Sequence, residues 1–535
     1  MRLSPHRSSG IPRRVKTLLW DGMASLLAAA CFAANAQNVE HLGITQPGGM
    51  PGLPVVTGAA RATNGMSVTW DGPSGYYQLF QKQHLTDSKW LAVGKATNLI
   101  RQATVKTTNT SEFFRVSGPS PKYAGSQTCG ECHSPILTTQ THTLHAGAFT
   151  NAQFVAAGGQ TNVSCLPCHT VGYGLPTGFT NLAKTPKLAG VQCENCHGPA
   201  ANHAANPDDP TLVPRAEVAA TVCGGCHATR FAEWKTSAHT GIISNLNATT
   251  QIDNCGRCHS GTARSSLIQG LAPLAGDANL GIQCADCHDP HQTNGSPAQL
   301  RYPLASTNDY FLPTNGAFAS HYNTNINVCG QCHNHAGASW TNSASPPHPS
   351  SQYNMLLGTI GELDPSGPHY QPGSHAILLA NQCVDCHMHT VTNVAPSYTG
   401  RSHKFTVDNN YTVCLQCHPF PELLAEVAQK AVSNRVQQLR FDLNYWATNR
   451  APTNLPVLFG KYGSNTWEYT TPGELSPHGV GPNAAEQTLI PTNIQKARFN
   501  VYVVLSDQSL GVHNVLYSVT LLDTAEDWIY NELYP

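Results

Sequence analysis

Gly190-Val191-Gln192-Cys193-Glu194-Asn195-Cys196-His197-Gly198-Pro199 holds two cysteines three positions apart, with a histidine directly after the second. The same unit stands at Cys129/Cys132/His133, Cys165/Cys168/His169, Cys223/Cys226/His227 and Cys255/Cys258/His259. It returns at Cys284/Cys287/His288, Cys329/Cys332/His333, Cys383/Cys386/His387 and Cys414/Cys417/His418. Of 19 cysteines only Cys31 lies outside these units. Nine disulfides are the first thought for eighteen cysteines in an exported chain, but they do not require a histidine after each pair. Zinc ribbons use C-x-x-C pairs without that histidine too. With histidine near one residue in twenty, nine such matches arise by chance with a probability on the order of 10⁻¹².

C-x-x-C-H is the attachment unit for c-type haem: two thiols add to the porphyrin vinyl groups, and the next imidazole reaches the iron. The expectation is nine covalently attached haem c groups, with His133, His169, His197, His227, His259, His288, His333, His387 and His418 as proximal ligands. No C-x-x-C-K variant occurs.

The opposite face of each iron decides what such a centre can do, since two strong protein ligands leave it only electrons to pass. Met355 and Met388 are the only methionines in the haem-bearing stretch. Histidines outside the motifs are plentiful, so bis-histidine ligation is expected, with low potentials relative to His/Met centres. The favoured distal ligands are His145, His203, His239, His291, His348, His375, His403 and His513. His145 follows the first motif at the offset at which His239 follows the fourth, with His142 as its rival. His321, His335, His369, His389 and His478 are weaker choices.

The rest of the chain divides around this stretch. Arg2, His6, Arg7, Arg13, Arg14 and Lys16 precede an apolar run from Leu18 to Ala33 that ends at Ala34-Asn35-Ala36. That is the pattern of a secretory signal peptide over 1–36, placing the protein in the periplasm or outside the cell. Residues 50–118 lack cysteine and alternate, as in Ser67-Val68-Thr69-Trp70 and Phe113-Phe114-Arg115-Val116, which reads as a small β-sandwich. Residues 119–420 form a loop-rich nine-haem domain with short helices, the porphyrins serving as core. From Pro421 to 535 an α-helical bundle is expected. Leu423, Leu424, Val427, Ala431, Val432, Val436, Leu439, Leu443 and Trp446 keep a 3.6-residue rhythm, and two more helices are expected at about 485–506 and 514–533. The fold class is therefore mixed.

The composition is 40% hydrophobic and 11% charged, with 30 Lys+Arg against 31 Asp+Glu. No basic run exists to hold a phosphate backbone, so no nucleic-acid partner is expected.

The motifs and their surroundings resemble the multihaem cytochrome c superfamily that contains cytochrome c-554, pentahaem nitrite reductase, hydroxylamine oxidoreductase and the octahaem reductases. Residues 190–199 and the segment from Cys223 to His239 look like the cytochrome c-554 module, and Gly511-Val512-His513-Asn514 is similar to the helical tail of the larger members. Residues 50–118 resemble a fibronectin type III or immunoglobulin-like module. The chain departs from the nitrite reductases in lacking a lysine-bearing motif, and no cross-linking tyrosine of the hydroxylamine oxidoreductase kind can be assigned.

Two functional readings follow. In the first, an exported cytochrome relays electrons along mostly bis-histidine haems, between a quinol-linked donor and a terminal reductase or an extracellular acceptor. In the second, one open or lysine-bound haem makes it an oxidoreductase of small nitrogen or sulfur oxyanions such as nitrite, hydroxylamine or tetrathionate, with Tyr322, His335 or Lys235 beside it. A homo-oligomer, up to a haem filament, is compatible with the sequence.

Overall fold

A computed structural model describes residues 55–535 except 64, 72–76, 85, 97–101, 107–112, 119, 217, 244–245, 247–248, 274–277, 294, 296–297, 302–326, 366–371, 393–398, 472 and 476–479. The expected leader over 1–36, together with His321, Tyr322, His369 and His478, lies outside the described residues. The chain forms two units, one built from strands between 55 and 117 and the other spanning 120–535.

In the first unit, β1 (Val55–Ala62), β2 (Gly65–Asp71) and β5 (Gln102–Val105) form one antiparallel sheet in the order β1-β2-β5. A second antiparallel sheet runs β4-β3-β6, from β4 (Leu91–Ala96), β3 (Tyr77–Lys82) and β6 (Phe113–Ser117). Alternation decides which side chains point inward: Met66, Val68 and Trp70 from β2 join Tyr77, Leu79, Phe114 and Val116 in one core. Gly65 opens β2 at φ +142°, where an added Cβ would fall 2.1 Å from the Val105 carbonyl, so only glycine fits.

The second unit changes character near residue 420. Before that point, short helices such as Ser126–Gly130, Cys193–His197 and Cys383–His387 are joined by irregular chain. The apolar clusters there are small; the largest collects Tyr123, Phe149, Leu166, Val171, Phe179 and Leu188. After that point come α1 (Pro421–Asn449), α2 (Thr492–Ser506) and α3 (Val515–Leu533). They enclose the protein's largest core, including Val436, Leu443, Trp446, Trp467, Phe499 and Leu521.

Two details differ from the sequence-based expectation. Ala451–Asn454 and Pro456–Tyr462 are helical, where no particular helix was expected. The next helix starts at Thr492 rather than about 485, since Pro491 has no N–H to give an earlier turn. The apolar rhythm of α1 holds, but Leu423, Leu424 and Val427 are exposed, while burial begins at Val432. Those first turns flank the motif Cys414–His418 rather than the tail core. Among the described residues, no helix is long and apolar enough to cross a membrane.

Candidate haem centres

Each motif forms a helical turn, and Cys255–His259 ends the longer helix Thr249–His259. The histidine N–H donates to the carbonyl of the first cysteine at 2.9 Å for His133/Cys129, His227/Cys223, His288/Cys284 and His333/Cys329, and at 2.8 Å for His418/Cys414. Residues three and four apart share one helix face, so this turn aims both thiols and the imidazole at a single plate-like group. Gln192 and Asn195 lock the third motif with a reciprocal capping box, and Gln283 and Asp286 repeat it at the sixth.

An imidazole nitrogen binds a transition metal at about 2.0–2.1 Å with its ring centre about 1.1 Å behind, so two imidazoles on opposite sides of one iron have centroids about 6.2–6.4 Å apart. Seven motif histidines face a second histidine at close to that spacing. The centroids are 6.0 Å apart for His227 and His145, 6.1 Å for His197 and His291, and 6.2 Å for His333 and His239. They are 5.7 Å apart for His259 and His348, 6.1 Å for His288 and His403, 6.1 Å for His418 and His375, and 6.2 Å for His387 and His513. Without an intervening atom, imidazoles have no reason to keep this gap so regularly. The residues therefore fit bis-histidine iron.

The protonation pattern agrees. A ligand histidine must offer a lone pair from one nitrogen while the other donates its N–H to a neighbour. Nδ1 is bonded to the carbonyl of Ala298 in His288 (2.6 Å), of Val512 in His375 (3.1 Å), of Arg401 in His403 (3.1 Å), and of Arg215 in His197. In His513 it meets the carboxylate of Asp507 at 2.6 Å. Nε2 is thus left as the acceptor at the facing ring. Burial also disfavours the imidazolium: it lowers the pKa of His145, His288, His291 and His403, and pushes His239 down to about 4 with help from His333.

Thiols from different motifs meet in pairs: Cys129 with Cys193, Cys168 with Cys226, Cys223 with Cys284, Cys258 with Cys332, and Cys329 with Cys383. Backbone and side-chain bonds tie the same motifs together. Ser126 N–H donates to Gln192 Oε1 at 2.7 Å, Ala220 N–H to Gln283 Oε1 at 2.8 Å, and Cys258 Sγ to the Gln331 carbonyl at 3.8 Å. Cys196 and Cys223, Cys287 and Cys329, and Cys386 and Cys414 are near enough to oppose each other's ionisation. These neighbours join all nine motifs, numbered in chain order, as the line 1-3-4-6-7-8-9, with motif 2 on 4 and motif 5 on 7. A disulfide framework does not account for them, since eight cysteines (Cys132, Cys165, Cys196, Cys255, Cys287, Cys386, Cys414 and Cys417) are in no such pair. No group of three or more metal-binding side chains converges among the described residues, as a zinc ribbon would need.

The other expected ligands are placed differently. His203 lies on the helix Ala201–Ala205 with a buried Nδ1 and faces no motif histidine among the described residues. His142 bonds Thr138 at 2.7 Å. His335 accepts from Gly337 N–H at 3.1 Å. Met355 is fully buried in the tail core. Lys235 rests over the Phe231 ring at 5.7 Å. Among the described residues, no second imidazole faces His133 or His169; the His169 ring stacks on Phe154 at 4.1 Å instead.

Sequence reading missed several supporting groups. Glu194 is buried and accepts N–H bonds from Ala124, Gly125 and Ala200 at 2.8–3.1 Å, fixing the third motif to the chain before the first. Arg264 is buried where motifs five, six and seven meet, and donates to the Arg257 and Asp286 carbonyls at 3.0 and 3.2 Å. An acidic residue inside C-x-x-C recurs at Glu131, Glu194, Asp286 and Asp385, so the pattern alone did not single out Glu194.

Residues 128–198 match the family described as cytochrome c554 and c-prime, and residues 177–260 match cytochrome c7 and related cytochrome c. Among curated proteins, the chain is 24% identical over 295 residues to the C-type polyheme cytochrome OmcB of Geobacter sulfurreducens, covering 45% of this chain and 37% of that protein. It is 26% identical over 155 residues to the multiheme cytochrome MtrA of Shewanella baltica (24% of this chain, 45% of that protein). To cytochrome c-554 of Nitrosomonas europaea it is 31% identical over 93 residues, which is 15% of this chain and 40% of that protein. It therefore spans less than half the length of these relatives. Among solved structures, the outer cell wall cytochrome OcwA aligns with a TM-score of 0.48 at 18% identity over 76% of this chain and 99% of that one. An undecaheme cytochrome from the S-layer of Carboxydothermus ferrireducens aligns at 0.47 and 20% identity, over 78% of this chain and 70% of that one. With nine C-x-x-C-H turns and matches to two cytochrome c family models, the chain is similar to the multihaem c-type cytochromes.

Proposed function

We propose that this is an exported nine-haem electron-transfer cytochrome, with one haem on each C-x-x-C-H turn. The observation that carries the reading is the set of seven histidine pairs spaced for an iron between them. In this reading His145, His239, His291, His348, His375, His403 and His513 are distal ligands. Haem iron with two imidazoles cycles between ferric and ferrous at low potential without binding substrate. Everything else falls to the chain: it positions the ligands, keeps the imidazoles neutral by burial, and sets neighbouring attachment turns against one another so that electrons pass between centres. The contacts between motifs make a line from the first to the ninth, with motifs two and five as side branches. The exposed apolar residues Leu415, Phe420, Leu423 and Leu424 at motif nine suit a porphyrin edge.

The division proposed is a leader over 1–36, a β-module over 50–118, the haem domain over 119–420 and a helical domain over 421–535. The two sheets β1-β2-β5 and β4-β3-β6 are joined as strands A-B-E and C-F are in immunoglobulin-like folds, which supports a fibronectin III-like sandwich. Outside the cytoplasm the partners would be a quinol-linked donor and a terminal reductase or extracellular acceptor. A second reading, reduction or oxidation of a small nitrogen or sulfur oxyanion, is favoured by one observation: His133 and His169 are not faced by an imidazole among the described residues.

A reductive titration of the purified holoprotein separates the two. Uptake of nine electrons per chain, with spectra unmoved by nitrite or hydroxylamine, is the result expected of a relay. A haem band that shifts with either compound overturns pure electron transfer and moves the site to the first or second motif.

A further inference from the structure

We propose that Asp507 lowers the electron affinity of the haem held between His387 and His513, making that centre a stronger electron donor than the haems whose ligand histidines donate to neutral groups. The inference rests on the reading of His387 and His513 as an axial pair.

Three observations carry it. First, His513 Nδ1 lies 2.6 Å from Asp507 Oδ1, and the Asp507 side chain is 1% exposed. Second, the pair is built rather than incidental. Asp507 closes α2 as its C-terminal cap, Ser509 Oγ donates to its carboxylate, and the same oxygen accepts the His513 backbone N–H at 3.1 Å. Third, other ring histidines in the same network have neutral partners. His375, on the neighbouring ligand set, uses the Val512 carbonyl, His403 uses the Arg401 carbonyl, His348 uses Ser350 Oγ, and His333 uses Gln352 Oε1.

The chemistry follows from charge. A carboxylate bonded to Nδ1–H draws the proton toward itself and enriches Nε2, raising ligand basicity. A more basic axial ligand stabilises ferric over ferrous iron, and hydrogen bonding around the ligand is a recognised lever on haem potential. Burial leaves little water to screen the interaction. Adding one electron to the ferric centre is therefore less favourable here. The C-terminal helices thus supply both the eighth haem's ligand and the group that tunes it.

The test is a potentiometric titration of the holoprotein, followed optically and by EPR, for the parent, His513→Met and Asp507→Asn. His513→Met marks the haem by moving one midpoint strongly upward; if it moves none, the axial pairing itself fails, whatever Asp507 does. Asp507→Asn keeps the shape and an acceptor oxygen but removes the charge. It is expected to raise the same midpoint by about a tenfold change in the reduction equilibrium, 59 mV for one electron, with the low-spin signal retained. No movement at that haem overturns the proposal. So does replacement of its low-spin signal by a high-spin one, which would make Asp507 only a positioning residue. Should Asp507→Asn yield no holoprotein, Ser509→Ala carries the test. It leaves the carboxylate undivided on His513, so the midpoint is expected to fall, and a rise or no change overturns the proposal.

Discussion

Between Val432 and Ile529 the chain packs Trp446, Trp467, Phe499, Tyr517 and Leu521 directly against one another. Between Tyr123 and Leu188 its largest apolar cluster has only six buried members, four of them outside any helix. Both regions belong to one unit, yet they solve the burial problem differently. The tail fills its interior with side chains, whereas the motif region brings histidines and thiols to a common centre and leaves the filling to the cofactor. A stretch so poor in aliphatic contacts does not offset the entropy of ordering its loops without such a centre.

The sharpest way to break this contrast is to produce the chain without haem attachment. Hydrogen exchange should then show protection lost throughout 120–420 but retained in α1, α2 and α3; equal protection, or equal loss, in the two regions would end the distinction. Next in size is Trp467→Ala. This fully buried ring donates from Nε1 to Asn444 Oδ1 at 2.9 Å, and truncation should cost about 3–5 kcal/mol in denaturant unfolding of the holoprotein. Its haem spectrum should not change, and a spectral change would mean that the tail core and the haems are not separable.

Glu194→Ala probes the other side of the comparison. Its carboxylate holds three buried N–H groups, two just before the first motif and one just after the third, so about 1–3 kcal/mol should be lost. Here the haem spectrum should change with stability. A loss with unaltered spectra would show that Glu194 serves packing alone.

The smallest effect concerns Glu362, whose backbone N–H donates to Asn500 Oδ1 on α2 at 2.7 Å. Burial raises its carboxyl pKa, with Lys496 opposing. A carboxyl raised on folding favours the native state below its ordinary value, about 4.3, and that advantage is lost as pH rises through the raised value. Glu362→Gln should therefore melt slightly higher than the parent near pH 7 and at the same temperature near pH 4. A gap that widens in acid would reverse the sign.

How much of this could be read in advance follows from the range of each constraint. Covalent attachment needs Cys193, Cys196 and His197 within one turn, so adjacency in sequence reveals it. The rhythm from Val432 to Trp446 is equally local, and α1 follows it. Distal histidines are local in kind but not in partner. His145 and His239 occupy equivalent offsets in their repeats, yet they face His227 and His333, each from a different motif. That choice depends on how the repeats stack, which no short window records. For His203, on the helix Ala201–Ala205, no facing motif ring is found among the described residues. Asp507, Glu194 and Arg264 were invisible for a related reason: a carboxylate or guanidinium gains its meaning from distant backbone groups.

The most direct test of the account is EPR of the fully oxidised holoprotein with spin quantitation. Seven histidine pairs spaced for iron require low-spin ferric signals that integrate to at least seven haems per chain. High-spin iron at three or more haems would contradict the pairing, and with it the reading of these histidines as the two sides of an electron relay.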